Sequence, residues 1–267
     1  DASNKQPSLA EKFAAVWEKK NAKAARAGGV SLMALSLAAC GSDDGSSTTS
    51  STSTTTTTTT TTTPAVSQSL ALTIGADSLT GGAGDDSIAG GRIDAIITLN
   101  PADVIDGGAG TDTLTARTIN GLATSSISNV ENVVFTDTGT GGDSIVFSTA
   151  TTTYISGVTS ITNLSSTNAM TFARVTELSD VTVNNTAGVN TIVQFADSVL
   201  AGTADTVNLN LTGVTGNTTI RIGTASDADG DYETLNIVSS GAASDLGNGQ
   251  VDAADATTVN VTASIAT

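Results

Sequence analysis

The sequence predicts an all-β protein in which short strands wind into a parallel solenoid, preceded by a short N-terminal helix and a disordered Thr-rich linker. Glycine and aspartate recur with a nine-residue period over residues 75–115. Segments of alternating apolar and polar residues then recur as far as residue 261, as in strands with one buried face. Only 3% of the residues are aromatic and 13% are charged, whereas 27 are glycine. This composition favours repetitive extracellular β structure over a compact enzyme core.

Residues 1–40 are predicted to form a basic amphipathic helix and an apolar segment like a signal or anchor. Residues 8–11 have capping-box spacing, and the apolar residues of 9–17 share one helical face. Residues 30–39 are apolar over a length that suits a signal peptide and is too short to span a bilayer. The run Leu-Ala-Ala-Cys that ends at Cys40 resembles a bacterial lipobox. This resemblance implies lipidation of Cys40, the alternative being an uncleaved apolar segment.

A Ser/Thr-rich linker is predicted over residues 41–69. It contains ten consecutive threonines, Thr54 to Thr63, and almost no residue that could contribute to a hydrophobic core. Such low-complexity sequence is typical of disordered or extended stalks. We expect it to hold the following domain away from its attachment point.

The ionisable residues exclude several classes of function. The formal net charge is −16, the chain has no histidine, and 23 acidic residues but only four arginines follow Cys40. Without histidine there is no Ser-His-Asp machinery and no His-ligated zinc site. The negative charge disfavours nucleic acid as a partner and favours multivalent cations. We therefore predict that the protein is not an enzyme.

Two perfect nonapeptides carry the most specific signal. Residues 81–89 and 107–115 both match G-G-x-G-x-D-x-U-x, where U is a large aliphatic residue. Half-repeats containing Asp77 and Asp103 precede them. Glycine allows the backbone to approach closely and to turn its carbonyl oxygens inward, and aspartate adds a hard carboxylate ligand.

These nonapeptides resemble the RTX calcium-binding repeat family over residues 75–115. The resemblance implies a calcium-bound parallel β-roll, predicted over residues 70–116, with Ile88 and Leu114 pointing into its core. It implies Ca²⁺ as the cofactor. The implied ligands are Asp86 and Asp112, with Asp77 and Asp103 completing sites from neighbouring turns, and Asp85, Gly82, Gly84, Gly108 and Gly110 in the turns themselves. Because residues 90–102 separate the repeats, we expect about one to three ions; the alternative is Gly-rich turns without metal.

A β-solenoid or β-helix is predicted over residues 117–267, and we expect it to be the start of a longer array. Strand-like segments recur at intervals such as 28 residues from Asn208 to Asn236 and 24 from Asn236 to Asn260. These asparagines either form a ladder or lie on a solvated face. Together with the nonapeptides, the segments resemble bacterial surface-layer and related RTX cell-surface proteins of Gram-negative bacteria.

This resemblance implies an extracellular structural protein that folds and self-associates with Ca²⁺ into a lattice or filament at the cell surface. Its N-terminal segment would contact the outer membrane or a surface glycan. The alternative is a calcium-dependent adhesin that binds a glycan or partner, and a more remote one is ice binding by Thr-x-Thr runs.

Two weaker motifs remain. Asp227, Asp229 and Asp231 alternate as in many Ca²⁺ loops, but the spacing departs from the EF-hand, so the alternative is an acidic solvated turn. Residues 137–139 resemble the Asp-Thr-Gly loop of aspartic proteases, whose chemistry needs a second carboxylate to share a proton. Since no second such loop occurs in the sequence, we do not predict protease activity.

Overall fold

The computed structural model describes residues 65–94, 96–118, 125–225, 232–253 and 256–265. Every secondary-structure element in these residues is a β-strand, which confirms the all-β class for this part of the chain. The predicted N-terminal helix, Cys40 and the linker up to residue 64 lie outside the described residues, as do Asp227, Asp229 and Asp231. In the part described, no helix is long and apolar enough to cross a membrane.

The described residues form 19 short strands. They are β1 Ser69–Ala71, β2 Ser78–Thr80, β3 Ser87–Ala89, β4 Arg92–Ile93, β5 Ile96–Ile97, β6 Val104–Asp106, β7 Thr113–Thr118, β8 Ser126–Ser128, β9 Asn132–Asp137, β10 Asp143–Val146, β11 Ser160–Leu164, β12 Met170–Val175, β13 Asp180–Asn184, β14 Thr191–Phe195, β15 Thr206–Thr212, β16 Ile220–Thr224, β17 Thr234–Gly241, β18 Val251–Asp252 and β19 Thr258–Ile265.

The strands wind into a two-sided solenoid. One side is a nine-stranded sheet, here the long sheet, with the order β1-β3-β7-β9-β11-β13-β15-β17-β19. The other side consists of two facing sheets with the orders β2-β6-β8 and β10-β12-β14-β16-β18. Pairing within all three sheets is parallel. The chain therefore crosses at every turn from the long sheet to a facing sheet or back, as a parallel β-roll requires.

These crossings define two edges. At the glycine edge, the turns lead from a facing sheet into the long sheet, and they include residues 81–86, 107–112 and 129–131. At the opposite edge, the turns lead from the long sheet to a facing sheet, and they include residues 72–77 and 138–142. The two edges separate the functional side chains into different groups.

The core is a column of apolar side chains between the sheets. Ile88 and Leu114 are fully buried register partners, and Leu114 pairs in turn with buried Val133. Farther along, the rings of Phe135 and Phe172 pack from opposite sheets with their centroids 6.1 Å apart. The predicted inward orientation of Ile88 and Leu114 is thus confirmed.

Truncation of this column should be costly. Ile88→Ala is expected to lower the free energy of unfolding by about 3 kcal/mol in saturating Ca²⁺, because it leaves a cavity in a one-residue-wide core. Ile93→Ala is the matched control, since that side chain is 48% exposed and its loss should cost less than about 0.5 kcal/mol. Urea denaturation measures both, and equal costs would contradict the assigned core.

A hairpin takes up the residues between the two nonapeptides. Strands β4 and β5 pair antiparallel, and Thr98 N–H donates to the carbonyl oxygen of Gly91 at 3.1 Å, which closes the excursion. As a result Ser87 and Thr113 are direct register partners, although 26 residues separate them. The insertion therefore leaves the two nonapeptides on adjacent coils.

The later rungs continue the same sheet. An amide ladder runs along its outer face: Asn208 donates to Asp180 at 2.8 Å, Asn236 to Asn208 at 2.9 Å, and Asn260 to Asn236 at 2.9 Å. Both arrangements left open for these asparagines are observed, since they form a ladder and this ladder lies on the outer face. It connects the four successive coils that contain β13, β15, β17 and β19, beyond the two nonapeptides.

Candidate metal centre

Two Gly-rich turns stack directly on one another at the glycine edge. The N–H of Ala109 in turn 107–112 donates to the carbonyl oxygen of Gly82 in turn 81–86 at 2.9 Å. The carboxylate of Asp85 accepts an N–H from the neighbouring turn at 2.8 Å. The two turns are thus held in contact through their backbones.

Glycine is required where these backbones meet. A Cβ at Gly108 would lie 2.3 Å from the Gly82 carbonyl oxygen, and its φ of 96° is in the left-handed region. Gly110 has a φ of 133°, and its Cβ would lie 2.7 Å from the Gly84 carbonyl oxygen. The predicted glycines therefore position main-chain carbonyls of one turn against the next turn.

Three carboxylates line up behind the turns, and we call Asp86, Asp112 and Glu131 the acidic column. Asp86 accepts N–H groups from Gln68 and Gly82, both at 2.5 Å. Asp112 accepts the N–H of Asp86 at 2.7 Å, and Glu131 accepts the N–H of Asp112 at 2.7 Å. Each carboxylate thus reaches back to the previous coil, and the column brings Asp86 and Asp112 together as predicted from the repeats.

Glu131 was not among the predicted ligands. It precedes Asn132 just as Asp112 precedes Thr113, and Asn132 and Thr113 are register partners in adjacent coils. The available signal was an acidic residue immediately before a strand, 19 positions after Asp112. A coil of 19 rather than 18 residues hides this equivalence from a nonapeptide pattern.

The negative charge of the acidic column is not balanced by the hydrogen bonds around Asp112. Asp112 is fully buried, and its Oδ2 has no hydrogen-bond partner. Burial raises the pKa of Asp112, and so do the negative charges of Asp86, Glu131 and Asp85, whereas the hydrogen bond from the Asp86 backbone lowers it. A nearby cation would offset both the burial and the repulsion.

The donor set fits a hard cation. Asp86 and Asp112 would supply carboxylate oxygens, and the Gly-rich turns would supply carbonyl oxygens, which are the ligands that Ca²⁺ prefers. In the described part of the chain, no group of three or more His, Cys, Asp or Glu side chains is spaced to hold a metal ion. Bound Ca²⁺ would provide the positive charge that the acidic column lacks. The hydrogen bonds that Asp112 and Glu131 accept from the preceding coil hold neighbouring coils together.

Asp77 and Asp103 form a separate stack at the opposite edge. Asp77 accepts the N–H and the hydroxyl of Thr73 at 2.7 and 2.9 Å. Asp103 accepts the N–H groups of Asp77 and Asn100 at 2.9 and 2.7 Å. All four carboxylate oxygens of this pair therefore have protein donors. The arrangement differs from the expectation that Asp77 and Asp103 complete the sites of Asp86 and Asp112, because the chain crosses to the other edge between them.

Asp112→Asn tests the acidic column. We expect it to weaken calcium binding at least about tenfold, since the buried oxygen without a partner loses its charge. In the absence of Ca²⁺ the same variant should be more stable than the wild type, because a buried carboxylate has been removed. Asp94→Asn is the control, since Asp94 is exposed in the hairpin. Calorimetric titration and thermal unfolding measure the two effects; an unchanged calcium response in Asp112→Asn would argue against the site.

Comparison with known families agrees with this geometry. The family model described as RTX calcium-binding nonapeptide repeat (4 copies) matches residues 70–92 and 94–117. The matched ranges contain both glycine turns and all four repeat aspartates. No curated protein matches the chain.

The match confirms that residues 70–117 carry RTX repeats, and such repeats bind Ca²⁺. Proteins that carry them are generally secreted, so the match indicates a calcium-binding extracellular protein. The matched family is one of calcium-binding repeats, typical of structural or toxin-like proteins, and not of catalytic domains.

Proposed function

We propose that this protein is a structural component of a bacterial surface layer or surface filament, folded and assembled with Ca²⁺. The observation that supports this most strongly is the continuity of the long sheet. Strand β7 joins the coils that contain the two nonapeptides to β9 and the later rungs, so that one parallel ladder runs from β1 to β19. Ordering of the coils that contain the two nonapeptides would therefore be transmitted along this ladder.

The surface of the last described strand supports self-association. Val259 and Val261 continue the inward apolar columns, yet they are 47% and 69% exposed. Strand β19 pairs only with β17 among the described residues. Exposed apolar side chains of this kind favour contact with another apolar surface. In the proposed assembly, a second copy of the chain covers them.

Attachment to the cell is proposed to occur through the N-terminal segment. Its basic helix and the lipobox-like run that ends at Cys40 would contact or anchor in the outer membrane of a Gram-negative bacterium. The Thr-rich part of residues 41–69, before Gln68 and Ser69 join the folded roll, would serve as the spacer. The acid-rich remainder, with 23 carboxylates after Cys40, would stay soluble and responsive to extracellular Ca²⁺.

An adhesin is the second candidate, and the outer face of the long sheet favours it. The amide ladder from Asp180 to Asn260 presents a regular row of hydrogen-bonding groups on the outer face of the long sheet. Side chains of this type can bind sugar hydroxyls. An adhesin would bind a glycan or partner as a monomer in Ca²⁺.

Electron microscopy of the purified chain, with and without millimolar Ca²⁺, distinguishes these functions. The structural role predicts ordered sheets or filaments only in Ca²⁺. Val261→Lys should abolish them, whereas Thr262→Lys, on the other face of the same strand, should leave them intact. Monomers in Ca²⁺ that bind a glycan array would contradict the structural role and support the adhesin.

A further inference from the structure

A second pair of acidic residues is buried at the opposite edge, beyond the matched repeats. Strand β9 ends at Asp137, strand β10 begins at Asp143, and the turn 138–142 connects them. Asp137 is fully buried and Asp143 is 2% exposed. Their carboxyl groups lie within hydrogen-bonding reach of each other. Two carboxylates at this depth require a proton or a cation between them.

Backbone and side-chain contacts hold the pair in place. The Oδ1 of Asp137 accepts the N–H of Gly139 at 2.7 Å, and its own N–H donates to the hydroxyl oxygen of Ser166 at 2.9 Å. In the next coil, Asn168 donates to the carbonyl oxygen of Gly139 at 2.8 Å. The turn is thus anchored to its neighbour, much as the two glycine turns are anchored to each other.

Independent evidence for a ligand comes from hydroxyl groups around the pair. Thr118 on β7 is the register partner of Asp137, is fully buried, and faces the interior as Asp137 does. Its hydroxyl has no hydrogen-bond partner, and neither does the buried hydroxyl of Thr138. The Oδ2 of Asp137 is also buried without a hydrogen bond. The Oδ2 atom of Asp137 and the hydroxyl groups of Thr118 and Thr138 are therefore buried on adjacent coils without a hydrogen-bond partner.

The electrostatic environment is consistent with this arrangement. Burial raises the pKa of Asp137, and the charge of Asp143 raises it further, while the hydrogen bond from Gly139 lowers it. The burial also excludes the protease alternative that the Asp-Thr-Gly run suggested. An aspartic dyad must reach its substrate, whereas Asp137 and Asp143 are enclosed by the solenoid.

We propose that Asp137 and Asp143, with the hydroxyls of Thr118 and Thr138, bind one Ca²⁺ ion outside the nonapeptide repeats. The ligands are two carboxylates and two neutral oxygens, and main-chain carbonyls of the turn or water would complete the coordination. Because Thr118 belongs to the last strand of the matched repeats, this ion would link them to the first rung beyond. The competing explanation is a single proton shared by the two carboxylates.

Calcium stoichiometry measured by equilibrium dialysis of the whole chain tests this site. The double variant Asp137→Asn/Asp143→Asn should bind one ion fewer than the wild type, and the Asp94→Asn control should bind the same number. The loss of one ion should recur in an Asp112→Asn background, which shows that it is separate from the acidic column. Unchanged stoichiometry, with higher stability in chelator, would overturn the proposal in favour of the shared proton.

Thr118→Val provides a second test that does not depend on replacing a buried charge. It removes only the hydroxyl and keeps the shape of the side chain, so folding in chelator should be unaffected. We expect the affinity of one ion to fall about tenfold. If every calcium affinity stayed at its wild-type value, Thr118 would not be a ligand and the proposed site would be rejected.

Discussion

Withdrawal of calcium is expected to lower the thermal unfolding midpoint by about 5–10 °C for each ion lost. When the free Ca²⁺ concentration is a hundred times the dissociation constant of a site, the bound ion stabilises the folded state by about 2.7 kcal/mol. That is a large part of a total free energy of unfolding of about 5–15 kcal/mol. Asp112 explains the size of the effect. Without a cation, its buried carboxylate faces the charges of Asp86 and Glu131.

Circular dichroism and differential scanning calorimetry in EDTA and in millimolar Ca²⁺ measure this effect. Mg²⁺ at the same concentration is the control, because it prefers an octahedral shell with several waters and is poorly suited to a cage of turn carbonyls. We expect stabilisation by Ca²⁺ and little by Mg²⁺. Equal stabilisation by both ions would indicate general charge screening of the acidic chain.

Gly108→Ala is expected to have a large effect on the turn stack. The added Cβ would lie 2.3 Å from the Gly82 carbonyl oxygen, and the residue would keep a φ of 96°. Strain in the left-handed region and overpacking together should cost about 3 kcal/mol. Because the displaced carbonyl belongs to the predicted ligand set, calcium affinity should fall as well.

Gly91→Ala is the matched control. A Cβ there has no neighbour within 4 Å, and the residue does not have a positive φ. Its effect should be within about 1 kcal/mol and of either sign. Urea denaturation in Ca²⁺ and calcium titration of both variants provide the measurements. A Gly108→Ala protein with wild-type stability and affinity would show that the turns do not pack as described.

The parts of the fold that follow a strict repeat were predictable from the sequence. Perfect nonapeptides identify the glycine turns, the aspartates Asp86 and Asp112, and the inward side chains Ile88 and Leu114. These features depend on local requirements, namely backbone freedom in the turn and one apolar residue per short strand. A nine-residue pattern specifies both.

The parts that depend on pairing between coils were not predictable. Successive coils of the long sheet differ in length, with 19 residues from Thr113 to Asn132 and 28 from Asn132 to Ser160. Turn positions with positive φ are occupied by Asn129 and Asn185 as well as by glycine. Without a fixed period or a fixed turn residue, neither Glu131 in the acidic column nor Asp143 beside Asp137 can be aligned with the repeats.

The hairpin between the two nonapeptides is another feature that the sequence does not predict. In the sequence, residues 90–102 separate the two nonapeptides, because an insertion is visible in a sequence whereas the hydrogen bonds that close it are not. The antiparallel pairing of β4 and β5 returns the chain to its starting coil. The adjacency of the two glycine turns is therefore a tertiary property, and it is this adjacency that creates the candidate metal centre.

We expect Ca²⁺ bound between the glycine turns to order the solenoid. The most direct test of this role is an isothermal calorimetric titration of the calcium-free chain, run beside the variant Asp86→Asn/Asp112→Asn and monitored in parallel by circular dichroism. We expect the wild type to bind Ca²⁺ with a concurrent gain of β structure, whereas the variant should bind fewer ions and lose most of that gain. A wild-type protein that is fully folded without calcium, and that shows no heat of binding when calcium is added, would contradict this role of Ca²⁺.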